Sequence, residues 1–148
     1  MNRIIILNDD LESQMRMYLT LCARYRIDIA ENEVTLMRLL RRKRPDLLLL
    51  DAHYSRFKQD GKTACKLIQK IKHKHRRVRV LAIVASDERL GCSLQESGAD
   101  GWVDRHVEAE ELLARVNRLI ALPTPFTVET AGSDEPQAAV ALSSNDLL

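Results

Sequence analysis

The chain has 148 residues, enough for one ordinary hydrophobic core with or without a tail and short for two. Hydrophobic residues make up 45% and charged residues 30%, a balance that excludes a disordered chain, and no apolar run approaches the roughly 18 residues of a membrane-spanning helix. The formal charge is only +2, but it is unevenly spread: "RRKR" (41–44) and "KIKHKHRRVR" (70–79) are dense in cations, which on their own read as solvated helix ends.

The N-terminal "MNRIIILNDD" is too short and too soon acidic to be a secretory signal, so the cytoplasm is the default location. Within it, "RIIIL" (3–7) is a continuous β-branched run, as expected of a strand buried on both faces. "LESQMRMYLTLCARY" then places Met15, Tyr18, Leu19 and Cys22 on one helical face. "RIDIA" (26–30) alternates as a second strand, and "NEVTLMRLLRRKR" carries a Val34, Met37, Leu40 stripe that Pro45 stops. "DLLLL" (46–50) is too short for a helix between that proline and the polar loop after it, so it predicts a buried third strand that runs into Asp51.

"GKTACKLIQKIKHK" predicts a helix with Ala64, Leu67, Ile68 and Ile71 inward, and "VRVLAIVA" (78–85) is the most strand-like stretch of the chain. "DERLGCSLQESG" has a weaker stripe, Leu90 and Leu94, and ends on Gly98 as a C-terminal cap. "GWVD" predicts a short strand, and "EAEELLARVNRLIAL" a strongly amphipathic helix with acids in its first turn, where the helix dipole favours them. Five strands alternating with five helices predict an α/β fold with a parallel sheet and right-handed crossovers. Past residue 122 the pattern stops, and 123–148 reads as a flexible tail or linker, with "QAAVALSSNDLL" a candidate partner-binding helix. Cys22, Cys65 and Cys92 are odd in number and lack metal-ligand spacing, so buried free thiols are expected.

In an open parallel sheet, ligands bind at the carboxyl ends of the strands. The acids there are Asp9 and Asp10 after the first strand, Asp51 at the end of the third, Asp87 beyond the fourth and Asp104 at the fifth, followed by Arg105. Two carboxylates delivered to one crevice repel unless a cation separates them. Mg²⁺ suits that role, because it takes oxygen ligands and is usually held by one or two carboxylates plus a phosphate. An ionised aspartate beside it is a nucleophile toward phosphorus.

These residues carry a resemblance over about residues 3–122 to the receiver domain of two-component response regulators. "RIIILNDD" resembles the first strand with its acidic pair, here Asn8 and Asp9 followed by Asp10, and "PDLLLLD" the third strand ending in the phosphoacceptor. "QDG" (59–61) and "GADGWVDR" with "EELLARV" match the stretches before the third helix and around the last strand and helix. The resemblance implies a flavodoxin-like (βα)5 fold, a five-stranded parallel sheet with helices on both faces. It implies that Asp51 accepts phosphate from a histidine kinase or phosphotransfer protein, and that Mg²⁺ is held by Asp9, Asp10, Asp51 and the backbone carbonyl of His53, whose ring need not matter. A downstream protein would read the face formed by the fourth helix, last strand and last helix, on which Trp102 occupies the place of a rotating aromatic switch. Homodimerisation is compatible with this scheme; a membrane, nucleic-acid binding by the chain alone, and enzymatic turnover are not part of it.

Three departures from the family pattern are legible. Val84 stands where a Thr or Ser hydroxyl would bond the phosphoryl group, with Ser86 two residues further on as a weak substitute. Arg105 stands in place of a lysine, keeping the charge but changing its plane and reach. The loop after Asp51 is about two residues longer than the resemblance leads one to expect, and it lacks the expected proline. These departures make a phosphorylation-independent pseudo-receiver, acting as a protein-interaction domain, the alternative reading. A phosphatase of the haloacid dehalogenase type would need a second acid where His53 stands.

Overall fold

A computed structural model describes residues 1–57 and 60–123. The chain runs β1 (Arg3–Leu7), α1 (Leu11–Leu21), β2 (Arg26–Ala30), α2 (Glu33–Lys43), β3 (Leu47–Asp51), α3 (Lys62–Lys74), β4 (Arg79–Val84), α4 (Glu88–Glu96), β5 (Gly101–Asp104) and α5 (Ala109–Ala121). All strand pairs are parallel, in the order β2-β1-β3-β4-β5. The tail expected over 123–148 lies outside the described residues from 124 onward, as does Gln59 of "QDG".

The apolar runs become strands because both faces of the sheet are covered. Ile4 to Leu7 and Leu47 to Leu50 are fully buried, and alternation along each strand divides their side chains between two cores. Ile5, Leu7, Leu48, Leu50, Val80, Ala82 and Val84 pack with Leu36 and Leu40 of α2, Ile68 and Ile71 of α3 and Leu94 of α4. Ile4, Ile6, Leu47, Leu49, Leu81, Ile83 and Val103 pack with Met17 and Leu21 of α1 and Leu112 and Val116 of α5. Burying each such aliphatic chain contributes about 1.5–3 kcal/mol.

Two helical stripes differ from expectation. The inward face of α1 is Ser13, Gln14, Met17 and Leu21, while Leu11, Met15, Tyr18 and Leu19 are exposed. The expected stripe is therefore the outer one. Its phase is set by Asp10, which caps the helix by accepting the Ser13 N–H and so turns the polar Ser13 and Gln14 toward the strand ends. In α2 the buried pair is Leu36 and Leu40, and Val34, in the first turn after the Asn32 cap, stands in solvent. The thiols also differ: Cys22 and Cys92 are exposed and Cys65 is intermediate, because Cys22 lies at the end of α1 and Cys92 beside the inward Gly91.

At the lower edge of the sheet, where the strands begin, Asp100 binds three residues of two elements, α3 and β4. One carboxylate oxygen accepts Lys72 Nζ at 2.9 Å and the Val80 N–H at 2.8 Å, and the other lies 3.7 Å from Arg79 Nη1.

Candidate functional site

The upper edge, where the strands end, gathers the predicted residues. Asp51 closes β3 in the phase of Leu47 and Leu49, so it falls on the α1/α5 side of the sheet with only 2% of its surface exposed. A buried carboxylate is costly unless it is paired and hydrogen-bonded, and here three donors meet it. Arg105 Nη2 donates to Oδ2 at 2.6 Å, Asn8 Nδ2 to the same oxygen at 2.9 Å, and the His53 N–H to Oδ1 at 2.9 Å.

Each donor is placed by its own element. Asn8 follows β1, is fully buried, and is fixed by Gln14, whose side-chain amide donates to its carbonyl, and by Asp10, whose N–H donates to its Oδ1 at 2.5 Å. Arg105 leaves β5 with its N–H bonded to the Val84 carbonyl at 2.7 Å, and its own carbonyl accepts Arg16 Nη2 of α1 at 3.0 Å. Its Nε is buried with no acceptor among the described residues.

Of the acidic pair, Asp10 is committed to capping α1. Asp9 is exposed, and its carboxylate accepts the Ser55 hydroxyl, which joins the β1–α1 loop to the loop after β3. Two oxygen-bearing side chains, Asp9 and Asp51, with the His53 carbonyl, suit an ion that keeps most of its water. No group of three or more His, Cys, Asp or Glu side chains poised to hold a metal occurs among the described residues.

Val84 ends β4 fully buried and brings no hydroxyl. Ser86 is exposed at φ 53°, and its N–H donates to Asp104 Oδ2 at 2.8 Å. The His106 N–H donates to Asp104 Oδ1 at 2.8 Å, and these two backbone bonds, His106 first, hold the Asp104 carboxyl below its ordinary value. Trp102 faces α4, where Gly91 lets the indole approach so closely that an added Cβ would lie 2.4 Å from a ring carbon.

The His53 ring, assigned no role by the resemblance, makes a contact of its own. Its Nε2 accepts the Ala85 N–H at 2.9 Å, tying the loop after β3 to the loop after β4. Ser55 carried no signal in the sequence.

The profile of the response regulator receiver domain matches residues 4–117. The chain belongs to the response regulator receiver domain family. As a receiver it is 28% identical over 150 aligned positions to response regulator MprA of Mycobacterium leprae (strain TN), covering 98% of this chain and 59% of that protein. It thus spans about three-fifths of the curated relative that it matches. Among solved structures, the receiver domain of a two-component response regulator from Bacteroides fragilis superposes with a TM-score of 0.75 at 21% identity, covering 83% of this chain and 99% of that one. A response regulator from Thermotoga maritima gives 0.73 at 20% identity, covering 82% and 98%. At such identities these likenesses speak for the receiver fold. The receiver is a module of two-component signalling, and no helix among its described residues is long and apolar enough to cross a membrane.

Proposed function

We propose that this receiver accepts a phosphoryl group on Asp51 from a phosphohistidine of a histidine kinase or phosphotransfer protein, in the cytoplasm, and passes the change to a downstream protein. The carboxylate oxygen of Asp51 attacks phosphorus, the P–N bond breaks, and the imidazole leaves with the electron pair and takes up a proton. An acyl phosphate results.

The observation that carries the reading is the Arg105 guanidinium, bonded to Asp51 through Nη2 and left with a buried Nε that has no acceptor among the described residues. An unsatisfied buried donor costs about 1–3 kcal/mol, and a phosphoryl group on Asp51 would bring oxygens within the reach of this planar fork. Asp9, Asp51 and the His53 carbonyl are the groups that would hold Mg²⁺, while Asp10 serves the helix. When bound, the ion supplies positive charge that neutralises the incoming phosphoryl oxygens. Movement of Arg105 toward the new anion would disturb β5 and its neighbours, so α4, β5 and α5 with Trp102 form the output face of the proposal.

The pseudo-receiver is the second reading, favoured by Val84 and by the three protein donors that meet Asp51. Incubation with a small phosphodonor and Mg²⁺ followed by intact mass separates the two. A gain of one phosphoryl group that disappears in Asp51→Asn supports the first. No gain, together with no response to beryllofluoride, leaves the interaction domain.

A further inference from the structure

The two basic runs, separate in sequence, meet at the edge of the sheet opposite Asp51. The last turn of α2 is Arg41, Arg42 and Lys43, with Arg44 as its cap; that of α3 is Lys72, His73 and Lys74, with His75 as its cap. Both helices pack on the same side of the sheet, so their ends lie side by side. Between them runs an open groove of about 530 Å³ whose lining includes Arg44, Lys74, His75, Arg76 and Arg77. The carboxylate among its lining residues is Asp46, whose Oδ2 accepts the Arg3 N–H at 3.0 Å. Burial, then the charges of Lys74 and Arg41, push the His75 imidazole below its ordinary value, so the fields of both helix ends reach one ring.

The helix dipole accounts for cations in the last turns. It does not account for Arg44, which holds φ 47° and ψ 63°. Glycine is the residue favoured in that left-handed conformation after a helix, because a Cβ is strained there. A long cation is kept where the backbone prefers no side chain. Arg76 and Arg77 likewise lie beyond the end of α3, in the turn before β4.

We propose that this groove binds the phosphodiester backbone of duplex nucleic acid without reading its bases. Guanidinium forks match phosphate oxygens bidentately, and arginines stand on both walls. Unpaired bases would call for a series of aromatic platforms, and the lining residues include no Phe, Tyr or Trp. A lipid surface would call for exposed apolar chains, whereas Leu40, Pro45 and Val78 in the lining are buried. The groove lies at the opposite strand ends from Asp51, so the inference stands independently of phosphoryl transfer.

The test is fluorescence anisotropy of the whole chain with a labelled duplex of arbitrary sequence across a salt series. Engagement of about four to six phosphates gives a slope of log affinity against log salt of about −4 to −5, since each released counterion contributes about −0.9. Arg44→Gly reduces the slope by about one while raising the thermal midpoint, a pairing that a merely structural arginine would not give. The double variant Arg76→Ala with Arg77→Ala weakens binding at least about tenfold. Absence of binding at low salt overturns the inference, as does affinity unchanged in both variants. So does tighter binding to a single strand of the same length, or to vesicles of phosphatidylserine and phosphatidylcholine, than to the duplex.

Discussion

Arg105 and Asp51 face each other across the ends of β5 and β3 with Nη2 2.6 Å from Oδ2, the acid 2% and the base 25% exposed. This pair lets an aspartate end a leucine strand inside the protein. Removing one partner of a fully buried pair costs about 3–5 kcal/mol. Since Arg105 reaches solvent and Asn8 and His53 still serve Asp51, Arg105→Ala is expected to cost less, about 2–3 kcal/mol, in urea unfolding. Arg105→Lys restores part of that loss, because charge survives without the fork.

Val84→Thr introduces a hydroxyl at the buried end of β4. A hydrogen bond to a charged group is worth about 1.5–3 kcal/mol, so apparent affinity for beryllofluoride with Mg²⁺ should rise about tenfold. The unliganded protein should lose about 1–2 kcal/mol, since a buried hydroxyl replaces a methyl group. Calorimetric titration and unfolding of the same variant check both halves.

His53→Ala removes the acceptor from the Ala85 N–H. That amide should then exchange with solvent deuterium about two- to tenfold faster, since a hydrogen bond contributes about 0.5–1.5 kcal/mol. Amides of Leu48 and Leu50 in the sheet should keep their protection. Equal rates at Ala85 in both proteins would disprove the tie between the two loops.

Gly91→Ala drives a methyl group into the indole of Trp102. Overpacking costs about 1–3 kcal/mol, and the ring is expected to swing toward water. The single tryptophan makes this readable as a red-shifted emission maximum with a lowered thermal midpoint.

Two groups among the described residues contribute to the acid side of the stability curve. The His75 imidazole titrates below its model-peptide value of 6.5, so the folded state binds fewer protons there than the unfolded chain. Its contribution is complete above pH 6.5 and declines as pH falls from there through the folded value. Asp104 is depressed from 3.8, and its contribution is lost as pH falls below that value. His75→Gln should flatten denaturant stability between pH 7 and pH 5, and Asp104→Asn should act at lower pH.

The strands were legible because a parallel sheet covered on both faces writes itself as unbroken apolar runs, and "RIIIL" and "LLLLD" carry that mark. Helix phase was less so. In α3 the apolar and buried positions coincide, at Ala64, Leu67, Ile68 and Ile71. In α1 the outward stripe is more apolar than the inward one, and only the Asp10 cap and the buried Gln14 reveal which side faces the sheet. The site divides in the same way. Asp51 and Arg105 followed from their places at strand ends, whereas the His53–Ala85 and Ser55–Asp9 bonds depend on how two loops approach each other, which no local pattern encodes.

The Asp100 junction has a mechanical consequence. Because that carboxylate fastens the segment between α4 and β5 to Lys72 and to the start of β4, the lower end of α4 is a fulcrum. Any displacement of α4 would be restrained at this end and would grow along its length toward Asp87, next to the loop that His53 grips. Under the proposed phosphoryl transfer, a change at the strand ends would then reach α4 as rotation about the Asp100 junction rather than as translation.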